Sequence, residues 1–217
     1  MKITVEEKML KQILEKFKTP AYVFDIGKIK NRIKYLREKL PKGISLCYAI
    51  KANTFVVKDI EENIDRFEVC SPGEYEICKK QNINKDKILV TGVYKTPEVI
   101  QNIIQNENET NYFTIESMEQ FNEINKTKKN RKIKIMLRLT SGNQFGINED
   151  EVEAIISKRK EYSNIDIAGI QYFSGTQKTS LKILQREIDY MDNFLTRLEK
   201  EYNYLASEFE FGPGFPV

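Results

Sequence analysis

The 217-residue sequence contains no histidine. That excludes Ser-His-Asp and Cys-His nucleophile systems and the usual zinc hydrolase sites, so catalysis falls to lysine, carboxylates, tyrosine or a cofactor. Cysteine is scarce as well. Cys47, Cys70 and Cys78 form no pair motif and leave one over, and Cys70 and Cys78 stand too far apart for a zinc knuckle. This usage fits reduced thiols in a cytosolic core, not a disulfide or metal framework. No apolar run approaches the roughly 20 residues that span a bilayer. The segment Met1 to Lys18 interleaves charge with apolar residues, unlike a secretory signal, so the chain reads as cytoplasmic with no membrane partner. A formal net charge of +3 is too small to imply nucleic acid. The one basic cluster, Lys126 to Lys132, lacks interleaved aromatics and reads as a solvated helix end and loop.

What remains is an ordinary globular composition, 40% hydrophobic and 31% charged, long enough for one domain with a sizeable core. Strand and helix signals alternate. Ser71-Pro72-Gly73-Glu74 supplies a cap, an N1 proline and an N3 glutamate for a helix reaching about Lys80. Thr96-Pro97-Glu98 opens another helix, Ser117-Met118-Glu119-Gln120 has capping-box form, and Asn148 with Glu151 begins a fourth. The longest helix should run from about Ser180 to Tyr204, with Leu181, Leu184, Ile188, Met191, Leu195, Leu198 and Tyr202 as a core-facing stripe. Seven strands are expected: 45–50, 66–70, 88–93, 112–115, 133–139, 165–173 and 208–212. Strands alternating with helices through short loops indicate parallel β/α units. A closed (β/α)8 barrel needs eight strands, so the expected fold is such an α/β barrel stopping after strand seven. Residues 1–18 form a lead-in helix and 19–217 the incomplete barrel.

Lys51 ends the run Ile44-Ser45-Leu46-Cys47-Tyr48-Ala49-Ile50, whose apolar content reads as a strand buried on both faces. Burial disfavours an ammonium, and a neutral amine is the form that attacks carbonyls. The residues alone leave two states open: a buried reactive amine, or a lysine that has left the sheet and snorkels to water.

Tyr48-Ala49-Ile50-Lys51-Ala52-Asn53, preceded by Thr19-Pro20-Ala21-Tyr22-Val23-Phe24-Asp25, resembles the opening of the fold-type III decarboxylases that use pyridoxal 5'-phosphate (PLP). Diaminopimelate, ornithine and arginine decarboxylases belong to that family. Further matches follow in the family's order at Phe67 to Glu74, Leu137-Arg138-Leu139, Gln144 to Ile147, Gly169 to Gln177, and Gly212-Pro213-Gly214-Phe215-Pro216. The resemblance implies that Lys51 is the Schiff-base lysine and that Arg138 lies near the phenolate oxygen of PLP. It places Phe173 where relatives carry a histidine stacked on the pyridine ring, a change that keeps the stacking face and loses proton transfer. Thr176 matches a serine whose hydroxyl meets the phosphate. Gly212, Pro213 and Gly214 match a glycine-rich phosphate loop, although Pro213 has no N–H to donate.

The family's next segment carries a glutamate for the pyridinium nitrogen. It lies, with a C-terminal β-domain and the residues that complete the site across a dimer, beyond the matches found here. The implied function is PLP-dependent decarboxylation of an amino acid of the diaminopimelate, ornithine or lysine kind, this chain being the N-terminal barrel portion and inactive alone. A non-catalytic PLP-binding protein and a racemase-like enzyme on the same fold are the alternatives. A gap beside strands one and seven should be covered by self-association, as in a homodimer, or by the N-terminal helix.

Overall fold

The computed structural model describes residues 7–106, 112–127 and 132–216. The basic cluster falls partly on 128–131, outside the described residues. Seven strands are present: β1 Cys47–Ala49, β2 Arg66–Val69, β3 Ile88–Val90, β4 Tyr112–Ile115, β5 Ile133–Leu139, β6 Ile165–Phe173 and β7 Glu208–Gly212. Each pairs in parallel with the next, in the order β1-β2-β3-β4-β5-β6-β7. Helices α1 Glu7–Lys16 and α2 Ile26–Lys39 precede β1, and α3 Val57–Ile60 follows it within a series of short 3-10 turns. The crossovers beyond are α4 Pro72–Lys80, α5 Pro97–Asn106, α6 Met118–Lys126, α7 Glu149–Ser157 and α8 Leu181–Tyr202.

Helix starts follow the chemistry of their caps. The Ser71 hydroxyl accepts from Glu74 N–H at 3.3 Å, while the Glu74 carboxylate accepts from Cys70 N–H at 2.8 Å. Ser117 caps α6 through Gln120 N–H, and Asn148 with Glu151 closes a full capping box on α7.

The sheet is curled. In a flat sheet β2 and β7 would stand about 24 Å apart, at five strand spacings of about 4.8 Å. Instead Arg66 on β2 hydrogen-bonds Glu208 on β7, and Lys134 on β5 reaches the same carboxylate at 2.6 Å. Strand residues therefore divide between two faces. Phe67, Val69, Phe113, Ile115, Ile135, Leu137 and Ile170 belong to the large core shared with the helices, to which α5 adds Ile100 and Ile104, α7 Val152 and Ile156, and α8 Met191, Phe194 and Leu198. Burying one such side chain contributes about 1.5–3 kcal/mol. A separate small cluster, Leu89, Tyr112, Met136 and Ala168, lies on the inner face.

Three expectations need correction. The first strand is not buried on both faces: β1 is three residues long, Ile44 is 48% exposed, and Ile50 and Lys51 lie in a 3-10 turn. β1 and β7 are the two edges of the sheet, so β1 has a neighbour on one side only. The α8 stripe is core only in its C-terminal half. Leu181 is 80% and Ile188 47% exposed, because the start of α8 extends past the sheet, whereas Met191, Phe194 and Leu198 are buried. Nor does α1 cover the edge with its apolar side, since Met9, Leu10 and Leu14, like Phe17 just beyond it, remain exposed.

Candidate active site

At the C-terminal ends of the strands, two hydrogen-bonded clusters flank the inner face. The first centres on Glu116, directly after β4. Its carboxylate, 1% exposed, receives Arg138 Nη1 from β5 at 2.8 Å and stands 3.7 Å from Lys95 Nζ in the loop after β3. The Thr91 hydroxyl adds a longer contact at 3.3 Å, and Lys95 also donates to the Gly92 carbonyl. Burial lowers the Lys95 pKa from 10.5 to about 8 even with Glu116 alongside. Glu68 faces the same region from β2. Desolvation raises its pKa, opposed by the charges of Lys51 and Arg138. Desolvation, followed by the Glu68 charge, pushes the neighbouring Cys70 thiol up to about 12, which leaves it protonated and unreactive at neutral pH.

Lys51 enters this field from the end of β1, where its side chain is exposed. The desolvation expected of Lys51 is found instead at Lys95, which is 4% exposed. Of the two open states, the structure shows the lysine that has left the sheet. Its amine is the accessible one of the pair.

The second cluster joins the loops after β6 and β7. The Arg138 guanidinium lies 5.1 Å from the Phe145 ring centre and 6.0 Å from that of Phe173, at the end of β6. Phe173 in turn requires Gly212, because a Cβ there would sit 2.5 Å from the Phe173 ring. Gly214 adopts φ +64°, and a Cβ on it would strike the Gly175 carbonyl and approach Thr176 Cα to 3.0 Å. Thr176, Gly214 and the intervening Pro213 therefore form one paired-loop surface, with the Thr176 side chain exposed on it.

The structure thus brings Arg138, Phe173, Gly212, Gly214 and Thr176 into one connected set, with Lys51 near enough for its charge to act on Glu68. Sequence reasoning assigned no role to Glu68, Thr91, Lys95 or Glu116. One signal was available: Glu116 is the first residue past β4 and Lys95 lies in the loop after β3, the regions where β/α barrels place chemistry. No cluster of three or more metal-ligating side chains occurs among the described residues.

A parallel β/α barrel sheet with an amine, a guanidinium, an aromatic face and a hydroxyl-bearing glycine loop at its C-terminal end offers the groups of a small-molecule binding site. Matching of the whole sequence narrows that reading. The model for "Pyridoxal-dependent decarboxylase, pyridoxal binding domain" covers residues 26–217, and the chain belongs to this family. It is 28% identical over 192 residues to a diaminopimelate decarboxylase of Aquifex aeolicus, covering 80% of this chain and 45% of that protein. It is 24% identical over 197 residues to an alanine racemase of Actinobacillus succinogenes, covering 85% and 49%. Among solved structures, a lysine/ornithine decarboxylase from Vibrio vulnificus superposes with TM-score 0.82 at 23% identity over 97% of this chain and 57% of that one, a likeness of fold. The chain spans about half the length of the curated relatives it matches. No helix among the described residues is long and apolar enough to cross a membrane.

The residues at the mouth fit the cofactor that the family binds. PLP carries an aldehyde, a phenolate oxygen, an aromatic ring and a phosphate, and the site offers an accessible amine, a guanidinium, an aromatic face and a hydroxyl beside a glycine loop, groups of the chemistry that would hold them.

Proposed function

We propose that this chain is the cofactor-binding part of a cytoplasmic, dimeric enzyme that decarboxylates an amino acid of the diaminopimelate, ornithine or lysine kind. Lys51 would carry PLP through its amine, Arg138 would face the phenolate oxygen, Phe173 would cover the ring, and Thr176 with the Gly212-Pro213-Gly214 loop would hold the phosphate. When bound, PLP supplies the electron sink that makes loss of CO2 from an amino acid feasible. Glu116 keeps Arg138 aimed. Lys95 and Thr91 in turn hold Glu116 in place. Glu68, whose pKa is raised by desolvation against the opposing Lys51 charge, would serve as a proton acceptor for that amine. Phe173 excludes water from its face of the ring and offers no proton, so protons must move from other groups.

The observation that carries this reading is the buried Arg138–Glu116 pair beside Phe173, within the family's pyridoxal-binding domain. Among the described residues β1 and β7 are the edges of the sheet, which supports association with a second subunit. PLP added to the purified protein should produce a visible absorbance band, and borohydride should then fix the pyridoxyl label on Lys51. Label on Lys95, or spread over surface lysines, would refute the assignment. The alanine racemase match favours one rival. Inversion of an amino acid's α-carbon without CO2 release, once the site is complete, would establish that alternative.

A further inference from the structure

The loop after β6 rests on a buried ion pair that the roles above leave unused. Lys178 Nζ stands 2.7 Å from Glu187 Oε2 on α8 and 2.5 Å from the Ser174 hydroxyl, which itself donates to Glu187 Oε1. The Lys178 and Glu187 side chains are 9% and 13% exposed. Lys178 Nζ also lies 5.9 Å from the Phe211 ring centre on β7. From the same residue, the backbone N–H donates to the Gly214 carbonyl at 2.9 Å. Lys178 therefore ties four pieces together: the end of β6, α8, β7 and the loop that follows β7.

In this pair, as in the Glu116 cluster, every charged side chain is at most 13% exposed. Both lie beneath the loops at the C-terminal end of the sheet. A buried ion pair adds little net stability over an apolar replacement, because desolvation offsets the attraction. Its better-attested effect is to hold one geometry. Here the geometry held is the contact of Gly175 and Thr176 with Gly214, where no Cβ fits.

We propose that Lys178 and Glu187 are positioning residues for the phosphate end of the cofactor site. Their pair, with Ser174, sets the loop so that the Thr176 hydroxyl and the Gly214 backbone face a single anion. The inference rests on the proposed PLP-binding role, which it deepens by separating phosphate recognition from capture of the aldehyde at Lys51.

The test compares PLP with pyridoxal, which lacks the phosphate, by absorbance titration of the 217-residue chain, with inorganic phosphate as competitor against PLP. Wild-type protein should prefer PLP, and phosphate should compete. Glu187→Gln and Lys178→Met should lose about tenfold or more in PLP affinity, the scale of one charge-assisted hydrogen bond, with pyridoxal affinity unchanged. Lys178→Arg should keep most of the preference. Ser174→Ala, the mildest change, should lose part of it and keeps the test open if the charge variants do not fold. A wild-type PLP preference that survives in all the variants, or equal losses for PLP and pyridoxal, would overturn the positioning role alone. Equal wild-type affinity for the two ligands, or no binding of either, would overturn the PLP reading and this inference with it.

Discussion

Lys95→Met should change how stability depends on pH. Lys95 is 4% exposed, its pKa is lowered from 10.5 to about 8 by burial, and its carboxylate partner is already shared with Arg138. Below pH 8 folded and unfolded chains both carry the proton. Between pH 8 and 10.5 the folded chain has released it and the unfolded chain has not, so the unfolded state binds more protons and stability rises with pH. A displacement of this size corresponds to roughly 3 kcal/mol at most, and relaxation around the site brings it to about 1–3 kcal/mol. Methionine has similar length, fills the same space and does not titrate. The advantage of the Met variant over wild type should therefore be largest at pH 7 and shrink by that amount toward pH 10.5. Urea unfolding of both proteins at pH 7, 8, 9 and 10, followed by far-UV circular dichroism, measures the difference. Taking the difference cancels the opposing effect of Tyr112, Tyr190, Tyr204, Cys70 and Cys78, whose raised pKa values make stability fall in alkali. A difference that is flat with pH would show that Lys95 is not held charged in a dry site.

Glu208 gives the opposite pH limb. Despite its desolvation, hydrogen bonds from Arg66 and Lys134 bring its pKa to about 2, so its stabilisation is present above pH 4.5 and lost as pH falls toward 2. Glu208→Gln should cost roughly 1–2 kcal/mol at pH 7 after allowance for solvent screening, and flatten the acid limb of a urea-stability profile. Glu210 is pushed up to about 7 by desolvation and then by Glu68, so the folded chain keeps a proton between pH 4.5 and 7 that the unfolded chain has lost, and stability falls over that range. Glu210→Gln should leave stability at pH 4.5 nearly unchanged and raise it at pH 8 by roughly 1–3 kcal/mol, as read in the same titration. Gly214→Ala forces a Cβ against the Gly175 carbonyl at φ +64°, a strain of about 1–3 kcal/mol, and should weaken PLP more than pyridoxal in absorbance titrations.

Much of the fold was legible because local chemistry and tertiary position agree. Ser71, Ser117 and Asn148 cap the helices their sequence contexts announce, and β4 to β7 occupy the expected ranges. The misreadings arise where a segment leaves the sheet. Ile44 and Ile50 have the content of a buried strand, yet β1 is an edge and the chain turns off it before Lys51. Leu181 and Ile188 have helical spacing but lie beyond the sheet that would bury them. Lys95 escaped notice because it falls in the short gap between the expected strand 88–93 and the helix opened by Thr96-Pro97-Glu98, and nothing local announces that Glu116, from another strand end, draws the lysine inward.

The inner face was written in plain alternation, and its two ends show why position, not residue type, separates structural from candidate catalytic charges. Arg66-Phe67-Glu68-Val69, Lys134-Ile135-Met136-Leu137-Arg138 and Glu208-Phe209-Glu210-Phe211 each send alternate side chains inward. β5 carries two of these cations, four residues apart on the same face. Lys134, toward the N-terminal end, shares Glu208 with Arg66, and both cations stand within 4.8 Å of the Tyr112 ring centre. That carboxylate's pKa is depressed, so the arrangement favours the folded state. Arg138, toward the C-terminal end, shares Glu116 with Lys95, whose pKa is displaced toward the neutral amine, so the folded state holds that charge at a cost. One strand thus supports a stabilising cluster at one end and a destabilising one at the other. Charge removal should lower stability at Glu208 and raise it at Lys95, the asymmetry expected if the fold gives up stability at the end where the proposed site lies.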